Sequence, residues 1–367
     1  MGIRFYGPGK PYHGLVKITM GKPKWTGEGL TVPHIIAEPL SWKDERVVFV
    51  DSMSDLFFEK FTDEEIAVVF GVMAVTSPRY LSLTKRSERM RRWFQRIADP
   101  APLQGEVAGV IQWKLHLIAL RCALMAGRYL KAAGFAKEGA QVVERALEME
   151  DRQRLRWPLP NVGIGVSVES QPYVKRVDDL VQIPAAMRFI SQEPMLERVT
   201  YGVDFEDATG NRFGAWTCPK CKGWGELSTG RLDVNGNDNG SQCDHCNGAG
   251  CAVDLVIFGG ESGPDARPCD VDGILSGIEE CRKAGVSPFV KQLGARPLGL
   301  RKEICDACAS GLNVPKKKHG LDCPGGRVLK HRKGGNIEEW PRELRVQEMP
   351  DGWIPLWIGK EKEECHA

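Results

Sequence analysis

Six short apolar runs punctuate the chain, at Val47–Asp51, Tyr80–Thr84, Val162–Val168, Met187–Ser191, Leu255–Gly259 and Pro288–Gln292. Most are rich in β-branched residues and nearly continuous in hydrophobicity, the pattern of strands covered on both faces. Helical periodicity fills several of the intervals. The stretch from Thr62 to about Thr76 opens with Thr-Asp-Glu-Glu, a helix-start signal, and then carries an apolar face. Ser87–Ile97 reads as a basic amphipathic helix, and Val271–Ala284 follows the fifth strand. Repeated strand–helix units predict a parallel sheet with right-handed crossovers, as an open doubly wound sheet or a barrel.

The residues that follow these strands favour the barrel. The first run ends at Asp51 and continues through Ser54 and Asp55, and the second is followed by Lys85 and Arg86. The third leads to Glu169, the fourth to Glu193, and the fifth to Gly259, Gly260, Glu261 and Ser262. Lys291 lies within the sixth. In (β/α) barrels the carboxyl ends of the strands build the active face. Polar residues after a single strand are ordinary loop chemistry, but a succession of six predicts a functional rim.

Two insertions and a tail complete the organisation. Residues 101–156 carry long helical runs, Gly109–Ala133 and Glu138–Asp151, which predict a helical hairpin packed on the barrel. Residues 202–252 are rich in glycine, asparagine and cysteine. We therefore expect a barrel domain over 1–296 holding both insertions, and a basic C-terminal tail over 297–367.

Composition narrows the class. The 367 residues are 42% hydrophobic and 27% charged, ordinary for a globular chain with a substantial core. No apolar run approaches the roughly 18 residues of a membrane helix. The N-terminus resembles neither a signal nor a transit peptide, so the expectation is a cytoplasmic protein with no membrane partner. Formal net charge is only +2, so any affinity for nucleic acid must come from a local patch. Lys316, Lys317, Lys318, Lys330, Arg332 and Lys333 form the one stretch that reads as clearly basic.

None of the 12 cysteines falls among the first 121 residues. Cys218, Cys221, Cys243 and Cys246 form two C-x-x-C-x-G-x-G halves, with 21 residues between Cys221 and Cys243. Two thiolates two residues apart grip one metal face, the glycines permit the tight turn, and two such knuckles make a tetrahedral zinc site. The doubled pattern resembles the zinc repeats of DnaJ-type chaperones over this segment alone. It either folds an insertion too small for its own core or presents a ribbon to nucleic acid or a partner. Cys305, Cys308, His319 and Cys323 form a second, weaker ligand set. An electron-transfer iron–sulfur cluster is the competing reading of these cysteines. Cys122, Cys269, Cys281 and Cys365 show no ligand spacing and read as buried or free thiols.

The strand motifs as a set carry a resemblance. Pro39–Trp42 with Val48–Phe57 (VFVDSMSDLF), Leu83–Met90 (LTKRSERM), Leu159–Glu169 (LPNVGIGVSVE) and Arg188–Leu196 (RFISQEPML) belong together. Val256–Pro268 (VIFGGESGPDARP), Phe289–Gln292 and Arg332–Arg345 complete the set. Over about residues 37–345, outside the insertions, the chain resembles the bacteriophage family named after gene products thirty-seven and sixty-eight, the three-Cys-motif phage proteins. The resemblance implies a radical-SAM-like partial (β/α) barrel. In that family a C-x₆-C-x₂-C loop holds a [4Fe-4S] cluster that binds S-adenosylmethionine.

This chain departs from the family at that loop, because no cysteine precedes Cys122. The expectation is a chain cut short of its natural N-terminus, or else a subgroup without the cluster. S-adenosylmethionine and the cluster are thus expected only with an upstream three-Cys segment. Carried over residue by residue, the resemblance makes Asp51, Ser54, Asp55, Lys85, Arg86, Glu169, Glu193, Glu261 and Lys291 the cavity lining. Gly259 and Gly260, beside Glu261 and Ser262, would let a ligand approach the backbone closely.

The expected function is a phage-type, radical-SAM-like barrel acting on nucleic acid or a nucleotide in the host cytoplasm, with a phage protein as a further candidate partner. The alternatives are a non-catalytic, zinc-stabilised nucleic-acid-binding protein on the same scaffold, and an iron-free enzyme that uses only the strand-end acids and lysine. Elemental analysis of the purified chain should find about two zinc ions and no iron. Iron with acid-labile sulfide would contradict the zinc assignment.

Overall fold

The computed structural model describes residues 13–50, 54–98, 111–201, 205–206, 212–213, 226–227, 241–242, 252–263, 265–298, 331, 333–350 and 352–353. The backbone divides into two compact units. One comprises Met1–Glu45, Asp51–Tyr80 and Arg92–Asn161, the other Arg46–Val50, Leu81–Arg91 and Val162–Ala367.

The first unit contains an antiparallel hairpin, β1 (Val16–Thr19) and β2 (Lys22–Trp25), a short helix α1 (Pro33–Ala37), and helix α2 (Asp63–Ala74). Helix α2 starts where the sequence signals it. Thr62 Oγ1 accepts from the Glu65 N–H at 3.1 Å, and Glu65 Oε2 accepts from the Thr62 N–H at 2.9 Å, a reciprocal cap that satisfies two orphan donors. The predicted helical hairpin forms as α4 (Ile111–Ala132) and α5 (Ala136–Asp151), turning at Gly134 with φ 91°.

These helices pack through glycines. A Cβ on Gly71 of α2 would overlap the carbonyl oxygen of Cys122 in α4, and one on Gly139 would lie 2.6 Å from the Gly127 oxygen. An aromatic core closes the unit. Phe70 stacks on Trp93 at 4.7 Å between centroids, with Phe57, Phe94 and Trp157 around the pair.

The second unit is built on a curled six-stranded parallel sheet, a half-barrel, in the order β13-β11-β6-β5-β4-β3. The strands are β3 (Val47–Phe49), β4 (Arg79–Thr84), β5 (Val162–Ser167), β6 (Met187–Gln192), β11 (Leu255–Gly259) and β13 (Ser287–Gln292). All six predicted strands are present within a few residues at each end; β3 stops short of Asp51, which lies outside the described residues. No strand was expected before Val47, and the β1–β2 hairpin there forms a separate antiparallel pair. Helices α3 (Ser87–Ala98) and α7 (Val271–Ala284) follow β4 and β11 as predicted, and the short α6 (Arg176–Leu180) follows β5.

Among the described residues, four two-residue strands lie between β6 and β11. They pair as β7 (Phe205–Glu206) with β8 (Arg212–Phe213) and β9 (Glu226–Leu227) with β10 (Ser241–Gln242). The eight metal-ligand candidates, Cys218, Cys221, Cys243, Cys246, Cys305, Cys308, His319 and Cys323, lie outside the described residues.

The register separates the two faces of the sheet. Gly163, Gly165 and Ser167 of β5 pair with Met187, Phe189 and Ser191 of β6. Leu255 and Ile257 of β11 pair in turn with Phe189 and Ser191. A Cβ on Gly165 would lie 2.5 Å from the Phe189 ring, and one on Gly163 2.5 Å from the Met187 methyl. Two side-chain-free positions on β5 thus let its larger neighbours lie across it. Leu81, Phe289 and Trp353 complete this cluster. On the opposite face Phe258 meets α7 at Gly277, where a Cβ would lie 2.5 Å from the ring.

Residues 333–350 belong to this unit and pack on its edge. Val290 N–H donates to Val346 O at 2.7 Å and Glu348 N–H to Pro288 O at 3.0 Å, so the edge of β13 is covered. Strands β12 (Cys269–Asp270) and β14 (Pro297–Leu298) make a further parallel pair. Among the described residues no helix is long and apolar enough to cross a membrane.

The glycine contact between α2 and α4 makes a direct prediction. Gly71→Ala forces backbone apart in a packed core and should lower stability by about 1–3 kcal/mol in urea unfolding. A midpoint equal to the wild type would contradict that close approach.

Candidate functional site

The parallel sheet places five charged side chains at the carboxyl ends of five neighbouring strands. In spatial order they are Lys291 on β13, Glu261 after β11, Glu193 after β6, Glu169 after β5 and Lys85 after β4. Glu169 and Glu193 each stand two residues beyond a paired serine, Ser167 and Ser191. The period of two carries them along the line of the face that holds Phe189.

Glu169 is the most enclosed of the five, 5% exposed. Lys85 pairs with its Oε1, and Arg176 Nη1 donates to Oε2 at 2.9 Å. The same Nη1 donates to Ser167 O at 2.7 Å, and the guanidinium lies 4.1 Å from the centroid of the Tyr173 ring. Burial pushes the Glu169 carboxyl up, but the Lys85 hydrogen bond and charge, with Arg176 behind, hold it below the usual glutamate value.

Glu193 reaches Lys291 Nζ at 2.9 Å. Its side chain lies against Gly259, where a Cβ would overlap it. That contact gives Gly259 a reason independent of any ligand. Gly260 is likewise held close to the Leu293 carbonyl, and its N–H donates to Gln292 O at 2.9 Å. Glu261 is gripped by Arg267 from N–H (2.9 Å), Nε (2.7 Å) and Nη2 (3.2 Å). Arg267 holds this carboxyl below its ordinary value, and Glu169 also acts electrostatically on Arg267. Ser262 is exposed in the following turn.

Two more of the expected residues, Arg86 and Asp55, make local backbone contacts. Arg86 donates its backbone N–H to Thr84 Oγ1 at 2.9 Å and opens α3. Ser54 and Asp55 fall in the first unit. There Asp55 Oδ1 accepts from the Phe57 N–H at 3.0 Å, closing a turn, and Ser54 is exposed.

Arg176 and Arg267 were missed. Arg267 had a signal, as the single cation between Val253 and Cys281, six residues after a strand-end acid. Arg176 had none, because α6 is too short to show a period. With both included, four cations (Lys85, Arg176, Arg267, Lys291) face three carboxylates, a local excess of one positive charge.

No set of three His, Cys, Asp or Glu side chains among the described residues is placed to hold a metal. The described cysteines do not fit a three-thiolate cluster either. Cys122, Cys269 and Cys281 are all buried, and none of them is in a disulfide. Burial pushes the thiols of Cys122 and Cys269 up to about 12, whereas ligation needs the thiolate.

A half-barrel with a charged strand-end rim defines an α/β protein of barrel type. Its sequence matches, over residues 11–329, the family described as Protein of unknown function (DUF5131), and the chain belongs to that family. No curated protein and no solved structure matches it.

Removing the Glu169 charge tests the rim's electrostatics. A carboxyl held low in the folded state stabilises above the unfolded value, about 4.3, and that stability is lost as pH falls through the folded value. Glu169→Gln should cost about 2 kcal/mol at pH 7, at the low end because Lys85 is half exposed. The gap from wild type should close on acidification below about pH 4. A gap independent of pH would contradict the ion pairs as its source.

Proposed function

We propose that the strand-end rim binds a nucleotide, free or as part of a nucleic acid, on a half-barrel of the phage-type, radical-SAM-like kind. The observation that carries this reading is the row of three strand-end glutamates, each matched to a cation. Carboxylates suit ribose hydroxyls and base amines as acceptors, while Lys85 and Lys291, both more than half exposed, can turn to phosphate.

The pairing also favours the non-catalytic reading over an iron-free acid–base enzyme. A general base works best with a value near the operating pH. Glu169 and Glu261 are displaced in the opposite direction, each by a cation in direct contact. Both carboxylates thus suit recognition and charge balance rather than proton transfer.

Isothermal titration with a nucleoside triphosphate tests the proposal. The wild type should bind, and K85A/K291A should bind about tenfold or more weakly while remaining folded at the temperature of the titration, as its circular dichroism spectrum checks. Absence of wild-type binding at millimolar nucleotide, or equal affinity in the double variant, would overturn it.

A further inference from the structure

The loop between β5 and α6 holds an aromatic side chain beside the most enclosed carboxylate of the rim. Gln171, Pro172 and Tyr173 form a single 3-10 turn there, and Tyr173 is 40% exposed. Its ring is tied to the rim through Arg176. That guanidinium lies 4.1 Å from the ring centroid and donates to Ser167 O at 2.7 Å and Glu169 Oε2 at 2.9 Å. Arg176 itself is enclosed, its side chain only 14% exposed. The cation therefore covers one face of the tyrosine from within, and the exposure of Tyr173 belongs to the rest of the ring.

The turn is fixed in place. Gln171 Nε2 donates to Thr200 O at 2.9 Å, and its Oε1 accepts from the Thr200 N–H at 2.9 Å. The Gln171 N–H donates to Glu197 Oε1 at 2.7 Å, and the Tyr173 N–H to Ser170 O at 3.0 Å. Pro172 restricts the backbone between these two anchors. A tyrosine so held offers a large, rigid face with little side-chain entropy left to lose on binding. Leu196 adds a second apolar side chain at the same carboxylate. Its N–H donates to Glu169 O at 3.0 Å, and the residue is 36% exposed.

Lysines on a rim recognise phosphate, but they do not distinguish a nucleotide from a bare polyphosphate. A base brings a flat π-face, and an open aromatic ring is the group that recognises it. Arg176 behind the ring also draws on the π-density of Tyr173, which suits the open face to an electron-rich base.

We infer that Tyr173 is the base platform of the nucleotide site: the nucleobase stacks on its open face while the rim lysines take the phosphates. The inference rests on the rim reading and deepens it, because it makes the base as well as the phosphates a recognised group. Isothermal titration of the full chain with ATP and, separately, with inorganic tripolyphosphate tests it. Y173A should weaken ATP binding about fivefold or more and leave tripolyphosphate at its wild-type affinity. Y173F should bind both ligands as the wild type does, and circular dichroism checks that each variant is folded.

Unchanged ATP affinity in Y173A would overturn the inference. So would an equal loss for ATP and tripolyphosphate, since the tyrosine would then act on the charges through Arg176 and not on the base. Either result leaves the rim reading standing. A wild type that binds neither ligand at millimolar concentration would instead sink the rim reading, and the base platform with it.

Discussion

A buried carboxylate must be neutralised, and at the end of β5 that requirement organises the charged rim. Glu169 is almost entirely enclosed, so its charge persists only because Lys85 and Arg176 converge on it. Lys85 comes from the end of β4 and Arg176 from the first residue of α6. One side chain thereby ties two strand ends and a helix start together. Its backbone joins a third element, since Glu169 O accepts from the Leu196 N–H at 3.0 Å. A second ionic contact reinforces the arrangement: Asp179 of α6 accepts from Ser87 Oγ at 2.6 Å and Arg91 Nε at 2.7 Å.

The packing on the sheet follows from where side chains are missing. Gly163 and Gly165 leave β5 bare on the face that Met187 and Phe189 occupy, and Gly259 does the same for Glu193 at the rim. Trp353, brought in by the chain beyond β13, packs with this apolar cluster. Apolar filling below and charge above are thus two consequences of one alternating pattern: β5 and β6 run glycine or large apolar residue, then serine, then glutamate.

The parallel strands and their helices were legible because each carries a strong local pattern. Leu255–Gly259 and Val271–Ala284 match residue for residue, and the Thr62 cap forms from its sequence signature. Glu169, Glu193, Glu261, Lys85 and Lys291 were legible as strand-end residues. Their pairing was not, because it is set by strand order, which adjacency in sequence does not contain. Asp55 was legible as an acid after a strand, whereas the local turn that its carboxylate closes was not. The β1–β2 hairpin escaped notice because its strands are four residues long and half lysine or proline.

Hydrogen–deuterium exchange of the full chain, with and without a saturating nucleoside triphosphate, tests most directly whether this rim is a binding site. The account predicts new protection at the backbone amides of 167–169, 191–193, 259–261 and 291–292, with the first unit unchanged. Protection confined to other segments, or none at saturation, would contradict it.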